Sequence, residues 1–223
     1  MNCCEIVIYD EPVTYDAALE LQRSIHSRVL NGQSPSTLLL LQHPPTITLG
    51  RKSHSHDLLV DRGLLESHGT RVIETDRGGA ISYHAPGQLV GYPIIDLNRH
   101  NRDIHQYIRQ LEQTLISVLN EFKILSETVP GLTGVWIKDR KIAAIGVKVS
   151  KWITMHGFSL NISNDLSPYG RDFIQCGLYD SGVTSMQKIL GGDAIPMRTV
   201  AEMFALQFTE RYSYSASFAS PWV

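Results

Sequence analysis

Four stretches of the sequence carry side chains that can bind, polarise or attack a substrate. Asp76-Arg77-Gly78-Gly79-Ala80-Ile81-Ser82-Tyr83-His84 sets a fixed cation and an imidazole on either side of paired glycines. Glycines let the backbone approach a ligand without a Cβ in the way, and an imidazole can handle protons near neutral pH. The run matches neither a dinucleotide fingerprint nor a Walker loop. Alone, it reads as a Gly-rich turn beside a strand. Asp139-Arg140-Lys141-Ile142-Ala143-Ala144-Ile145-Gly146 carries a lysine into an apolar strand. Alternation puts Lys141, Ala143 and Ile145 on one side and Ile142, Ala144 and Gly146 on the other. A lysine facing inward loses solvation and its pKa can fall, whereas a solvated lysine at a hairpin mouth is the commoner case. Lys138, Lys148 and Lys151 lie nearby, and spacing does not choose among the four.

His156-Gly157-Phe158-Ser159 puts a histidine before a glycine in a strand context. No second ligand stands at a metal-binding spacing from it, so no metal site is expected, and His54-Ser55-His56 reads as a solvated loop. Gln175-Cys176-Gly177-Leu178 and the following Gly182-Val183-Thr184-Ser185 form the fourth stretch. A free cysteine is most often a small buried hydrophobe. Cys176, however, lies among glycines after Pro168-Tyr169-Gly170, in loop-like surroundings where reactive groups concentrate.

These residues need elements to position them. Glu5 to Tyr9 reads as a strand. Ala18, Leu21, Ile25 and Val29 recur at helical spacing and end at Asn31-Gly32. Leu38 to Gln42 is a buried-strand candidate stopped by His43-Pro44-Pro45, and Thr46 to Leu49 resumes as a strand. Val72 to Glu74 is a short strand entering the Arg77-Gly78-Gly79 turn. Leu89 to Leu97 is strand-like but broken by Pro93. Ile104, Ile108, Leu111, Leu115, Leu119 and Phe122 keep one helical face apolar. Val135 to Lys138 and Lys141 to Val149 flank a hairpin at Asp139-Arg140, Thr154 to Ile162 is a further strand, and Val200, Phe204 and Phe208 outline a last helix. The tail from Ser213 to Val223 is expected to fray. Runs of strands, with helices at the ends and middle, favour an α+β class with a mixed or largely antiparallel sheet. Residues 1–223 read as a single domain.

Hydrophobic residues make up 43% of 223, enough for a real core, and the net charge of −2 gives no nucleic-acid footprint. Three cysteines are too few and too odd for a disulfide framework, which points to a reducing compartment, the cytoplasm. The apolar runs are too short to span a bilayer.

Taken in chain order, the motifs change the odds. His43-Pro44-Pro45 with Gly50-Arg51, Arg77-Gly78-Gly79 through Tyr83-His84 and Pro86-Gly87-Gln88, Lys141-Ile142-Ala143 with Gly146, His156-Gly157, and Cys176-Gly177 with Val183-Thr184-Ser185 together resemble the lipoyl(octanoyl) transferase family. The resemblance implies the fold of biotinyl and lipoyl protein ligases, no cofactor, and an acyl transfer in lipoate biosynthesis. Octanoyl-acyl carrier protein would be the donor. Lipoyl domains of 2-oxoacid dehydrogenases and the glycine cleavage H protein would be the acceptors. Cys176 would carry the acyl thioester and Lys141 would lower its pKa. Arg77, Gly78, Gly79, Ala80, Ile81, Ser82, Tyr83 and His84, with Ala144, Ile145, Gly146, Gly157, Phe158 and Ser159, would line the acyl site; Tyr83, Ile81, Ile145 and Phe158 are its candidate walls. Arg51, Lys52, Arg140 and Lys148 would form a basic rim for an acidic carrier. Ser82, Ala85 and Ser159 stand where the family usually has threonine, glycine and alanine, and Ala85 requires a backbone angle that a Cβ tolerates. Three readings compete: an ATP-dependent lipoate–protein ligase on the same fold, a non-catalytic carrier-binding module, and a cysteine hydrolase with His84 or His156 as base.

Overall fold

The computed structural model describes residues 2–174, 182–192 and 195–221. Eleven strands among these residues form two sheets. The larger is built from β1 (Asn2–Ile8), β2 (Ser36–Leu41), β6 (Gln88–Ile94), β7 (Glu127–Val129), β8 (Leu132–Ile137), β9 (Arg140–Ser150), β10 (Ile153–Asn161) and β11 (Tyr214–Ala219). Its order is β11-β1-β2-β6-β10-β9-β8-β7. The β11–β1 and β1–β2 pairs are parallel, and the others are antiparallel, so the sheet is mixed as expected. The smaller sheet joins β3 (Thr46–Leu49), β4 (Arg71–Glu74) and β5 (Ile81–His84) in the order β4-β3-β5.

The apolar run at Leu38 to Leu41 shows how the layers arise. Successive strand side chains point to opposite faces. Leu38 and Leu40 join the core under α3 (Ile104–Glu121) and α5 (Met197–Arg211), while Leu39 and Leu41 join the core under α1 (Tyr15–Leu30). A strand covered on both faces has no polar positions to alternate with. The helices start where the chain supplies caps: the Thr14 hydroxyl accepts from the Ala17 amide, and the Asp103 carboxylate accepts from the amides of His105 and Gln106. Two further short helices are α2 (Arg62–Ser67) and α4 (Met186–Leu190). A third cluster, with Ile47, Val72, Ile81, Tyr83 and Phe173, fills the smaller sheet's inner side. No helix among the described residues is long and apolar enough to cross a membrane.

Four expectations need correction. The described part of the tail is ordered: Tyr214–Ala219 pairs in parallel with β1, and Tyr214 anchors it through the Ser36 hydroxyl at 3.1 Å and ring contacts with Tyr212 and Phe208. Pro93 does not break its strand. It pairs with Leu38 on one side, while the ladder to β10 stops at Gly91. There β10 bends through His156, at φ 55°, and the Thr154 hydroxyl donates to the Pro93 carbonyl at 2.7 Å, so no ladder bond is asked of the missing N–H. The Gly-rich turn runs into a strand, β5, that its turn chemistry hides. Finally, the pairing of β8 with β9 slips between Val135 and Trp136, so that Val135 faces Ala143 while Trp136 faces Lys141. The extra residue puts Ile142 and Ala143 together in the core. Lys141 therefore shares its side with Ala144 and Gly146, not with Ala143.

Candidate active site

A cavity of about 290 Å³ opens on the face of β6, β10 and β9 and is bounded by the smaller sheet and its loops. Of the fourteen residues expected to line an acyl site, Arg77, Gly79, Ala80, Ile81, Ser82, His84, Ala144, Ile145, Gly146, Gly157, Phe158 and Ser159 line it. Gly78 and Tyr83 do not. Gly78 is spent on the strand joint, donating its N–H to the Val147 carbonyl at 2.9 Å. Tyr83 points to the opposite side of β5, where its ring packs against Tyr169 and Phe173. It is therefore not a wall of the cavity. Glycine is required where strands close on each other. A Cβ on Gly157 would collide with the Gly91 carbonyl oxygen and lie 2.7 Å from Pro93 Cδ; one on Gly146 would lie 2.8 Å from the Gly78 carbonyl oxygen. Ala85 is not among the residues at positive φ; in that loop the left-handed position is Gly87, at φ 87°.

Lys141 lines the cavity and is buried. Its Nζ lies 4.8 Å from the centroid of the Trp136 ring, a cation–π distance. Its backbone is bridged to Val183: the Lys141 amide donates to the Gly182 carbonyl and the Thr184 amide donates to the Lys141 carbonyl, each at 3.0 Å. The Val183-Thr184-Ser185 motif is thus tied to the lysine. Cys176 lies outside the described residues, as do Gln175, Gly177 and Leu178.

Arg77 is a second buried basic residue of the cavity. Its Nε and NH2 donate to the Thr48 hydroxyl at 3.1 and 2.8 Å, NH2 also to the Thr48 carbonyl at 2.7 Å, and NH1 to the Gly78 carbonyl at 3.1 Å. Burial lowers its pKa. All of these partners are neutral. The neighbouring Asp76 turns instead to Lys148 at 2.6 Å and to His156 Nε2 at 2.9 Å. Burial would raise Asp76, but the hydrogen bonds from Lys148 and His156 outweigh it and hold the carboxyl at about 2. The ionised carboxylate makes His156 donate from Nε2, and burial lowers the imidazole's pKa despite that partner.

The sequence reading missed an aromatic and imidazole cluster at one end of the cavity. Tyr15 and Tyr92 line it, and His43 stands behind them. The rings of Tyr15, His43, His84 and Tyr92 lie 5.3 to 6.1 Å apart in successive pairs. The protons in this cluster are fixed by its partners. His43 Nδ1 faces the Val13 carbonyl and so carries the hydrogen; its Nε2 then accepts from the Tyr92 hydroxyl at 2.7 Å. Gln88 gives its amide hydrogens to the Tyr83 carbonyl at 3.0 Å and Asn161 Oδ1 at 2.9 Å. Its oxygen therefore faces His84 Nδ1 at 2.9 Å, which must be the protonated nitrogen. Burial holds His43 down at about 4 and His84 at about 3. Both are neutral at pH 7. Of this cluster the sequence had singled out His84 and, before Pro44-Pro45, His43; Tyr15 and Tyr92 carried no signal.

Among the basic-rim candidates, Arg51, Lys52 and Arg140 are exposed, and Lys148 is held by Asp76. His54 and His56 are exposed with stacked rings 5.2 Å apart.

A family model described as the lipoyl protein ligase A/B catalytic domain matches residues 14–209. A protein of Geobacter metallireducens named octanoyltransferase is 44% identical over 204 residues, covering 90% of this chain and 92% of the relative. One of Solibacter usitatus with the same name is 43% identical over 213 residues, covering 96% and 94%. Among solved structures, a lipoate-protein ligase A bound with ATP matches with a TM-score of 0.81 at 14% identity, covering 99% of this chain and 90% of that one. The structural likeness bears out the expected ligase-type fold.

Proposed function

The chain belongs to the family of lipoyl protein ligase A/B catalytic domains, and on that footing we propose that it is an octanoyltransferase of lipoate biosynthesis that works through a thioester on Cys176. Octanoyl-acyl carrier protein is the donor. A lysine of a lipoyl domain, on a 2-oxoacid dehydrogenase or the glycine cleavage H protein, is the acceptor. The observation that carries the reading is Lys141: a buried lysine on the cavity wall, paired through its backbone to the segment that follows Cys176. The buried Cys4 is a poor alternative nucleophile, since burial pushes its thiol up to about 12.

The reaction runs in two steps. The Cys176 thiolate attacks the octanoyl thioester, and the carrier thiol leaves. The acceptor amine then attacks the enzyme thioester, the C–S bond breaks, and a stable amide forms. The first step exchanges like for like and the second runs downhill, so ATP is not required. A free thiol with a pKa of about 8.5 is roughly 3% thiolate at pH 7. Lowering it by about two units raises that roughly 25-fold, but a Brønsted slope of about 0.4 to 0.5 leaves roughly a threefold gain in rate. Thiolate population alone is a small reward for burying a lysine. Lys141 therefore also moves protons, giving one to the leaving thiol and taking one from the attacking amine. The cavity wall supplies Ala144, Gly146, Gly157 and Phe158 to an acyl chain, and each buried methylene contributes about 0.8 kcal/mol.

The test separates transferase from ligase. The protein is incubated with a purified lipoyl domain and either octanoyl-acyl carrier protein without ATP, or octanoate with ATP. Octanoylation of the lysine in the first mixture alone is expected. Modification only in the second would assign the chain to the ligases.

A further inference from the structure

Arg77 has been taken out of water without a counter-charge of its own. It is 7% exposed. Its Nε hydrogen and both NH2 hydrogens go to Thr48, and one NH1 hydrogen goes to the Gly78 carbonyl. A guanidinium has five N–H donors, so one NH1 hydrogen meets no acceptor among the described residues. The charges nearby do not balance it. Asp76 is held by Lys148 at 2.6 Å, and His43 and His84 are neutral at pH 7.

Glycines leave the space beside NH1 open. A Cβ added to Gly79 or to Gly146 would lie 3.5 Å from NH1, and both glycines line the cavity. A second donor stands next to this space. Ser82 is opposite Thr48 in the β3–β5 ladder, so the two side chains share a face about 5 Å apart, and the Thr48 hydroxyl is the group on which Arg77 rests. Ser82 lines the cavity, and its hydroxyl has no hydrogen-bond partner among the described residues. Beyond this corner the lining turns apolar at Ala144, Val90 and Phe158.

A cationic N–H and a hydroxyl beside open space, with an apolar strip beyond, fit a carboxylate on an alkyl chain. We propose that a free medium-chain carboxylic acid binds here, its carboxylate on Arg77 NH1 and the Ser82 hydroxyl and its chain along Ala144 and Phe158, and that it competes with the acyl donor. The competition rests on the proposed octanoyl transfer; the carboxylate subsite does not. The acid lies in the reverse sense to the donor, whose thioester is at the Lys141 end, and the two share the apolar strip. The fold has already met the cost of desolvating the guanidinium, so the ligand bears only the desolvation of its own carboxylate. A hydrogen bond to a charged group changes affinity by roughly 10- to 150-fold. Lys141 is the competing cation, and its Nζ already stands over the Trp136 ring.

Octanoate and octanamide have nearly the same shape and differ in charge. Binding of each to the full chain is measured by calorimetry at neutral pH, and octanoate is tested as an inhibitor of transfer from octanoyl-acyl carrier protein. Octanoate is expected to bind at least about tenfold more tightly than octanamide and to raise KM without lowering kcat. Arg77→Met and Ser82→Ala should each shrink the ratio of the two affinities, whereas Lys141→Met should leave it. Arg77→Met also strips Thr48 of its partner, so the orientation is read in the wild-type protein as well, from nuclear Overhauser contacts of the octanoate C2 protons. Contacts to Gly79 and Gly146 support the proposal. Thr133 lines the cavity beside Gly134, where an added Cβ would lie 3.5 Å from Lys141 Cδ; contacts to Thr133 overturn the proposal. So does octanoate that binds no better than octanamide, or a ratio kept in Arg77→Met and lost in Lys141→Met. Octanoate seated at Gly146 in a protein that transfers nothing from the carrier would leave the subsite standing and refute the transfer reading. Transfer by a protein that does not bind octanoate would do the reverse.

Discussion

Two histidines buried as neutral bases should make this protein acid-sensitive by a predictable amount. His43 and His84 titrate near 6.5 in an unfolded chain but at about 4 and about 3 in the fold. Between those limits the unfolded state binds protons that the folded state refuses, so stability falls as pH falls from about 6.5. From pH 7 to 5.5 each histidine costs about 1.3 kcal/mol, and the pair roughly 2.5. His156 is shifted in the same direction and adds to the loss. Asp76 does not contribute in this window. Its folded pKa is depressed to about 2, so its stabilisation is present above about 4 and lost only as pH approaches 2. Urea unfolding at pH 7.0, 6.5, 6.0 and 5.5 measures the slope directly. His84→Gln keeps a polar group beside Gln88 and should remove about half of the pair's pH dependence, whatever it does to stability at pH 7. A wild-type stability flat across this range, or a slope unchanged in His84→Gln, would refute the assignment of neutral imidazoles and the fixed tautomer with it.

Thr48→Val keeps the shape but removes the hydroxyl that accepts from Arg77 Nε and NH2; a loss of about 1.5–3 kcal/mol in denaturant unfolding is expected for hydrogen bonds to a buried charge. Gly157→Ala drives a Cβ into the Gly91 backbone and should cost about 3 kcal/mol, the upper end for overpacking, since the neighbour is a backbone carbonyl and not a yielding side chain; differential scanning calorimetry checks it. Lys141→Ala should slow both half-reactions, each followed under single-turnover conditions. A loss confined to acylation, with aminolysis intact, would contradict the proton-moving role.

The sequence announced most of the scaffold because its layers write simple periods. Leu38 to Leu41 is apolar throughout since both faces are covered, and α3 keeps one apolar face because only one is. What was illegible depended on partners remote in the chain. The tail strand exists because Tyr214 finds Ser36 and Phe208, and no local pattern encodes that. The side on which Lys141 falls depends on a slip against β8 that strict alternation cannot foresee. Twelve of the fourteen expected lining residues do line the cavity; Tyr83 fails because strand alternation turns it away between Ser82 and His84. The cluster around His84 was hidden, although His84 itself was expected in the site, since Tyr15, His43 and Tyr92 come from three separate segments and meet only through the fold.

The central claim is that the acyl group passes through a covalent bond to Cys176. Intact-mass spectrometry after incubation with octanoyl-acyl carrier protein, followed by peptide mapping, tests it most directly. An octanoyl adduct on Cys176 that disappears when a lipoyl domain is added, and that never forms in Cys176→Ser, is the predicted result. An unmodified protein that still turns over, or a Cys176→Ser variant that transfers at the wild-type rate, would contradict it.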